Sequence, residues 1–312
     1  MRRMLAIAGL FAASWAAAQS PHVFSLDDLA KMRRVSDPAL SPDGSRVAYA
    51  LHTTDPNEDR HETHIWMTSW DGKETVRLTS GKDSESTPRW SPDGRFIAFL
   101  SSRRDENETS QLWLLPLGGG EAEKITELPG GVEDFAWAPD SRRLVLVVSD
   151  AGPEADKESK GKKSKKPIVI DRFQFKVDVY GYLDARHDHL QILDRETRKL
   201  DVLTSGPYDD ELPSWSPDGK TIAFVSKRGP DPDRTDNWDV FAVEARPGAA
   251  PRRLTTFEGA DNEPDWESRL SWSPDGKWVA YVQGGPDKLI YYGLHKLAVV
   301  PAAGGAERVL TP

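Results

Sequence analysis

Apolar residues in this chain come in short runs bounded by turn residues, and the runs recur with the same neighbours. "SWSPDGKWVAYV" from Ser271, "RWSPDGRFIAFL" from Arg89, "SWSPDGKTIAFV" from Ser214 and "ALSPDGSRVAYA" from Ala39 share one pattern, which "AWAPDSRRLVLV" from Ala136 follows more loosely. In Ser-Pro-Asp-Gly the proline presets φ for the second position of a type I turn and aspartate suits the third. Glycine then takes the left-handed conformation that feeds a bulged hairpin. Each copy therefore predicts two antiparallel strands joined by a tight turn. The strand after the turn, as in Phe96-Ile97-Ala98-Phe99-Leu100, is apolar at successive positions and needs cover on both faces.

Every copy extends further. A second apolar strand follows ("HIWMTSW" from His64, "QLWLLPL" from Gln111, "HLQILD" from His189, "DVFAVE" from Asp239, "KLAVVP" from Lys296), then a polar turn. A short strand then closes on Leu78-Thr79, Ile125-Thr126, Leu203-Thr204, Leu254-Thr255 or Leu310-Thr311. That makes four strands per unit. The closing threonine stands 11 residues before the next tryptophan at Thr79 to Trp90, Thr126 to Trp137 and Thr204 to Trp215. Trp266 also stands 11 beyond Thr255, with "ESRLSW" inserted before the turn at Ser273. Four-stranded units covered on both faces are blades of a β-propeller. The expected fold is all-β, with five antiparallel blades visible, an incomplete ring, and tryptophans wedged between blades.

The tandem "WSPDG..IAF" blades resemble those of the prolyl oligopeptidase family of serine peptidases and of the periplasmic Tol-system propeller protein. Two further stretches resemble the acylaminoacyl-peptidase and dipeptidyl-peptidase-like branch of the peptidases: "FSLDDLAKMRRVSDPALSPDG", and "VIDRFQFKVDVYGYLDARHDHLQILD" from Val169 to Asp194. The likeness spans Phe24 to Pro312. It implies a noncatalytic propeller that admits short peptides to an α/β-hydrolase domain whose serine sits in Gly-x-Ser-x-Gly. No Gly-x-Ser occurs in these 312 residues. A Tol-type protein places an α/β domain ahead of its propeller, and the residues between Ala18 and Pro38 are too few for one.

Composition locates the chain. Arg2 and Arg3 precede an apolar run, Met4 to Ala13, and Ala16-Ala17-Ala18 supplies the small residues of a cleavage site, so residues 1–18 read as a signal peptide. Without them, 39 basic side chains face 50 acidic ones. A periplasmic or secreted protein without stable membrane insertion is expected. The absence of cysteine rules out disulfides, and no broad basic face suggests nucleic acid. Residues 19–38 form a lead-in, where Ser25 and Asp28 frame a capping-box start and Leu26, Leu29 and Met32 share a helix face until Pro38. The propeller takes 39–312. Within it, 151–167 is a lysine-rich insertion expected to be disordered, with "KESKGKKSKK" placing six lysines in ten residues.

Candidate chemistry is sparse. His187-Asp188-His189, with His61 and His64, raises metal ligation or base catalysis, yet no third ligand is identified. The acidic runs Asp55 to Glu62 and Asp105 to Glu108 lack the order of a calcium loop and read as solvated loops. No catalytic, cofactor-binding or metal-ligating residue is therefore assigned, and no cofactor is expected.

Overall fold

The structure, a computed structural model, describes residues 23–55, 58–81, 83–103, 109–152, 168–170, 172–178, 181–229, 231–266 and 268–312. The expected signal peptide and most of the lysine-rich insertion lie outside the described residues, as do part of the Asp55 to Glu62 run and all of the Asp105 to Glu108 run.

A six-residue helix, α1 (Leu26–Lys31), opens the described chain. Asp28 accepts the Ser25 backbone N–H at 2.8 Å, as the capping pattern predicts. Its apolar face packs less than expected, since Leu26, Leu29 and Met32 are all exposed. Pro38 does not end the helix. It lies inside β1 (Arg34–Leu40), so the propeller begins earlier than residue 39.

Blade 1 comprises β1, β2 (Arg46–Asp55), β3 (Arg60–Ser69) and β4 (Thr75–Arg77). Blade 2 comprises β5 (Glu85–Trp90), β6 (Phe96–Ser101), β7 (Gln111–Pro116) and β8 (Glu123–Lys124). Blade 3 starts with β9 (Val132–Trp137) and β10 (Arg143–Ser149), admits a small hairpin, β11 (Lys176–Val177) and β12 (Gly181–Tyr182), and ends with β13 (Asp188–Asp194) and β14 (Leu200–Val202). Blade 4 holds β15 (Asp210–Trp215), β16 (Thr221–Ser226), β17 (Asp239–Glu244) and β18 (Arg252–Arg253). Blade 5 departs from four strands. Its first strand is split into β19 (Gly259–Asp261) and β20 (Ser271–Trp272), which both pair with β21 (Trp278–Pro286) before β22 (Lys296–Pro301) and β23 (Arg308–Val309). All pairings are antiparallel. Beyond α1, helix among the described residues is limited to three short 3-10 turns.

The core lies between blades. One apolar layer joins Ala50 and Ile65 of blade 1 to Phe99 and Trp113 of blade 2. Others join Leu100 to Phe135, Val147 to Phe224, and Val240 to Tyr281, so consecutive blades bury each other's faces. No such layer joins blade 5 to blade 1 among the described residues, and Leu40 and Leu297 on these faces are 53% and 44% exposed.

The tryptophans act as the spacing predicts in three of four cases. Trp90 donates its indole N–H to the Ala39 carbonyl of the preceding blade at 3.0 Å, Trp137 to Arg89 at 3.3 Å and Trp215 to Ala136 at 3.2 Å. In blade 5 that role falls to Trp272, 3.0 Å from the Ser214 carbonyl. Trp266 instead lies in a 3-10 turn against His295, ring centroids 4.1 Å apart, so its 11-residue spacing is coincidental.

All five hairpin turns form where expected. In four, the serine hydroxyl donates to the aspartate carboxylate at 2.6 to 2.7 Å. The third turn has Ala138 and Ser141 in place of serine and glycine. Its backbone deviates little, with Ser141 at φ 57° against 67° to 71° for the turn glycines. Its chemistry differs. Ser141 Oγ accepts the Asp93 N–H of blade 2 at 2.9 Å, an inter-blade bond that offsets left-handed strain. Ser141→Ala is expected to lower stability by about 1 kcal/mol, whereas Ser141→Gly, which loses the bond but relieves the strain, should stay within about 0.5 kcal/mol of the parent. Urea denaturation of both variants measures the difference.

Candidate functional site

Chain direction alternates through each blade, so the Ser-Pro-Asp-Gly turns gather at one end. The loops joining second to third strands gather at the other, together with the links between blades. The turn end is uniform; the loop end carries every long insertion.

At the loop end the first strands surround an axial cavity of about 750 Å³. Local geometry aims residues into it. Asp37, Thr87 and Leu212 each precede a proline, sit at a bulge in a first strand, and have φ of 51°, 55° and 51°. Proline disfavours the right-handed helical region for its predecessor, and the extra residue of the bulge turns the side chain toward the axis. Blade 3 has Phe135 where the proline would be, and its Asp134 keeps negative φ.

The lining is acidic. Eleven carboxylates, among them Glu133, Asp134, Asp188, Asp209, Glu211 and Asp265, face four permanent cations, Arg172, Arg186, Lys227 and Arg269. Arg269 reaches from blade 5 to Asp134 of blade 3 at 2.6 Å. His187 is 3.0 Å from Asp209. Asp188 accepts from Ser149 at 2.5 Å, and burial followed by repulsion from Asp209 raises its pKa. Burial and then Asp188 raise Glu133 likewise. Glu211 is the extreme case, pushed up to about 8 by burial and then by Asp188, Asp209, Asp134 and Asp265.

This carries a prediction. Relative to an ordinary value of 4.5, a folded-state carboxyl near 8 keeps its proton while the unfolded chain loses one, so it penalises folding increasingly as pH rises between those values. Glu211→Gln is expected to match the parent near pH 4 and to exceed its stability by about 2 kcal/mol above pH 8. Urea midpoints across pH report the difference.

The histidines singled out from sequence hold blades together. His64 is buried and bonds Glu85 of the next blade at 2.7 Å, and Glu85 also accepts from Thr79 at 3.0 Å. His189 lies 3.9 Å from Asp210 of blade 4, which Arg228 grips at 2.6 Å. The same design explains the closing threonines. Thr79, Thr126, Thr204 and Thr255 accept the third-strand N–H groups of Ile65, Leu112, Leu190 and Val240 at 2.9 to 3.0 Å. His61 is elsewhere, on the exposed part of β3, 3.1 Å from Thr54. Among the described residues no group of three or more His, Cys, Asp or Glu is placed to hold a metal.

The axial cavity was not identified from sequence. Its signals were the residue-proline pairs before the turns and the acids opening first strands, as in "VED" from Val132 and "DDE" from Asp209.

Comparison with known proteins places these features. Residues 30–166 match the family described as PD40, TolB beta propeller domain. An uncharacterized peptidase, YuxL, of Bacillus subtilis is 31% identical over 223 residues, covering 71% of this chain and 34% of that protein. Dipeptidyl-peptidase 5 of Porphyromonas endodontalis is 27% identical over 273 residues, 81% of this chain and 37% of that protein. The chain thus spans about a third of the length of the curated relatives it matches. In fold it is similar to Pyrococcus horikoshii acylaminoacyl peptidase, with TM-score 0.62 and 21% identity over 88% of this chain and 39% of the other.

Proposed function

We propose that this chain, a β-propeller whose sequence relatives include peptidases, is the noncatalytic part of an exported serine peptidase acting on short peptides. In this reading it controls access to an α/β-hydrolase domain carried elsewhere in the full-length protein. The observation that carries it is the axial cavity, open on the loop-rich face of a propeller with peptidase relatives. About 750 Å³ accommodates a short extended segment and excludes a folded domain. The leader-like residues 1–18 support export, and no helix among the described residues is long and apolar enough to cross a membrane. The test is a length series on the full-length protein. Rates per scissile bond should fall sharply once peptides exceed the cavity's reach, and a folded protein cleaved as fast as a tripeptide would overturn the reading.

A second reading, a periplasmic propeller scaffold for protein-protein interaction, is favoured by the TolB description of the matching family. A full-length product that is exported and folded but hydrolyses no peptide would support it.

A further inference from the structure

The hairpin inserted in blade 3 stands apart from the five blade sheets. None of its described residues between 168 and 189 is buried, and Phe173, Phe175 and Tyr182 are exposed aromatics. Among the described residues no apolar core fixes it to the body. Its two strands pair only with each other. What joins it to blade 4 is polar. Arg172 grips Asp233 with two charge-assisted hydrogen bonds, Nε to Oδ2 at 2.9 Å and Nη2 to Oδ1 at 2.5 Å. Its Nη1 donates to the Asp184 carbonyl at 2.9 Å, so one guanidinium ties together the two arms flanking the hairpin strands. Arg234, next to Asp233, lies over the Phe173 ring at 4.3 Å. The hairpin also forms part of the cavity wall, through Gln174, Val177, Tyr182 and Leu183.

We propose that this hairpin is a hinged cover on the axial cavity, latched to blade 4 by the Arg172–Asp233 pair and able to open without disturbing the blades. The inference rests on reading the axial cavity as the working site. An element without buried apolar contacts opens at a small fraction of the global unfolding free energy, and Asp233, which holds Arg172 and also accepts the Gln174 N–H, is the centre of its restraint. The two latch side chains are only 23% and 16% exposed, so their pairing is stronger than that of a surface ion pair. Opening would widen the cavity mouth between blades 3 and 4, so the cover sets when peptide is admitted.

The chain has no cysteine, so one introduced thiol is a unique reporter. Thr87→Cys places it on the blade 2 wall of the cavity. In that background Asp233→Asn is expected to speed amide exchange of residues 173–178 and 181–184 by roughly tenfold. Labelling of the thiol by a maleimide carrying a polyethylene glycol chain should accelerate alongside, while exchange in β10 stays unchanged. Arg172→Gln, on the other side of the pair, must give the same result. Asp231→Asn, in the same turn but paired with Arg234, should give neither effect. Unchanged hairpin exchange in both latch variants would overturn the latch. Faster hairpin exchange with unchanged thiol labelling would overturn the cover. Neither readout involves peptide or hydrolysis, so the cover can fail while the peptidase reading stands, and the reverse.

Discussion

Replacing Asp210 by alanine is expected to cost about 3–5 kcal/mol of folding stability, among the largest effects of any single polar substitution in this chain. Asp210 is fully buried at the start of β15. Burial alone would raise its pKa, but His189 and Arg228 outweigh it and hold the carboxyl below its ordinary range. Removing it strands Arg228, a guanidinium 5.1 to 5.5 Å from the rings of Tyr208, Phe224 and Phe241. Those aromatic faces soften the loss without replacing the carboxylate. The pair spans no great distance, yet it closes the seam between blades 3 and 4, because His189 belongs to β13 and Asp210 to β15. Asp210→Asn, which retains a hydrogen-bond acceptor, should lose about 1–3 kcal/mol. The double replacement Asp210→Ala with Arg228→Met should recover much of the single-mutant loss, since a buried charge is then no longer left alone. Chemical denaturation of the parent, Asp210→Ala, Arg228→Met and the double replacement gives the coupling energy, and additive losses would show that Asp210 and Arg228 do not act as a pair.

These seams also explain what was legible in the sequence. The blades were readable because each is local: Ser-Pro-Asp-Gly sets a hairpin, an uninterrupted apolar run demands two covered faces, and Leu-Thr closes the unit. The tryptophan wedges followed from spacing, and failed only where "ESRLSW" lengthened blade 5 and moved the slot from Trp266 to Trp272. His64 and His189 looked like metal or base candidates because their partners, Glu85 and Asp210, are 21 residues away on the following blade. Only blade order brings them together. The axial cavity was illegible for the same reason. Asp37, Asp134, Glu211 and Asp265 stand on four different blades, and any two of them lie at least 54 residues apart.

The 312-residue chain by itself is expected to leave acyl-peptide and dipeptidyl chromogenic substrates intact, and a serine-directed fluorophosphonate should not label it. Acyl transfer needs a nucleophile activated by an adjacent base and a pair of N–H donors where the oxyanion forms. The described residues offer the parts separately and never in that arrangement. His64 is committed to Glu85 and His187 to Asp209, while the serines of the turns donate to aspartates rather than to imidazole. Ser36 does lie 2.7 Å from His52, the one serine-histidine contact among the described residues. His52 Nδ1 contacts the Thr63 hydroxyl at 2.9 Å, so no carboxylate orients the ring through that nitrogen as a triad requires. Burial, with Arg34 nearby, also lowers its pKa. Under the proposed function, full-length protein with a hydrolase domain should hydrolyse these substrates at least about a million-fold faster than their uncatalysed reaction, the lower range of enzymatic rate enhancement, while this chain stays at that background. Stoichiometric labelling of a serine within residues 23–312 would overturn the noncatalytic assignment, and Ser36→Ala would then be the first variant to test, since loss of label would locate the nucleophile on β1.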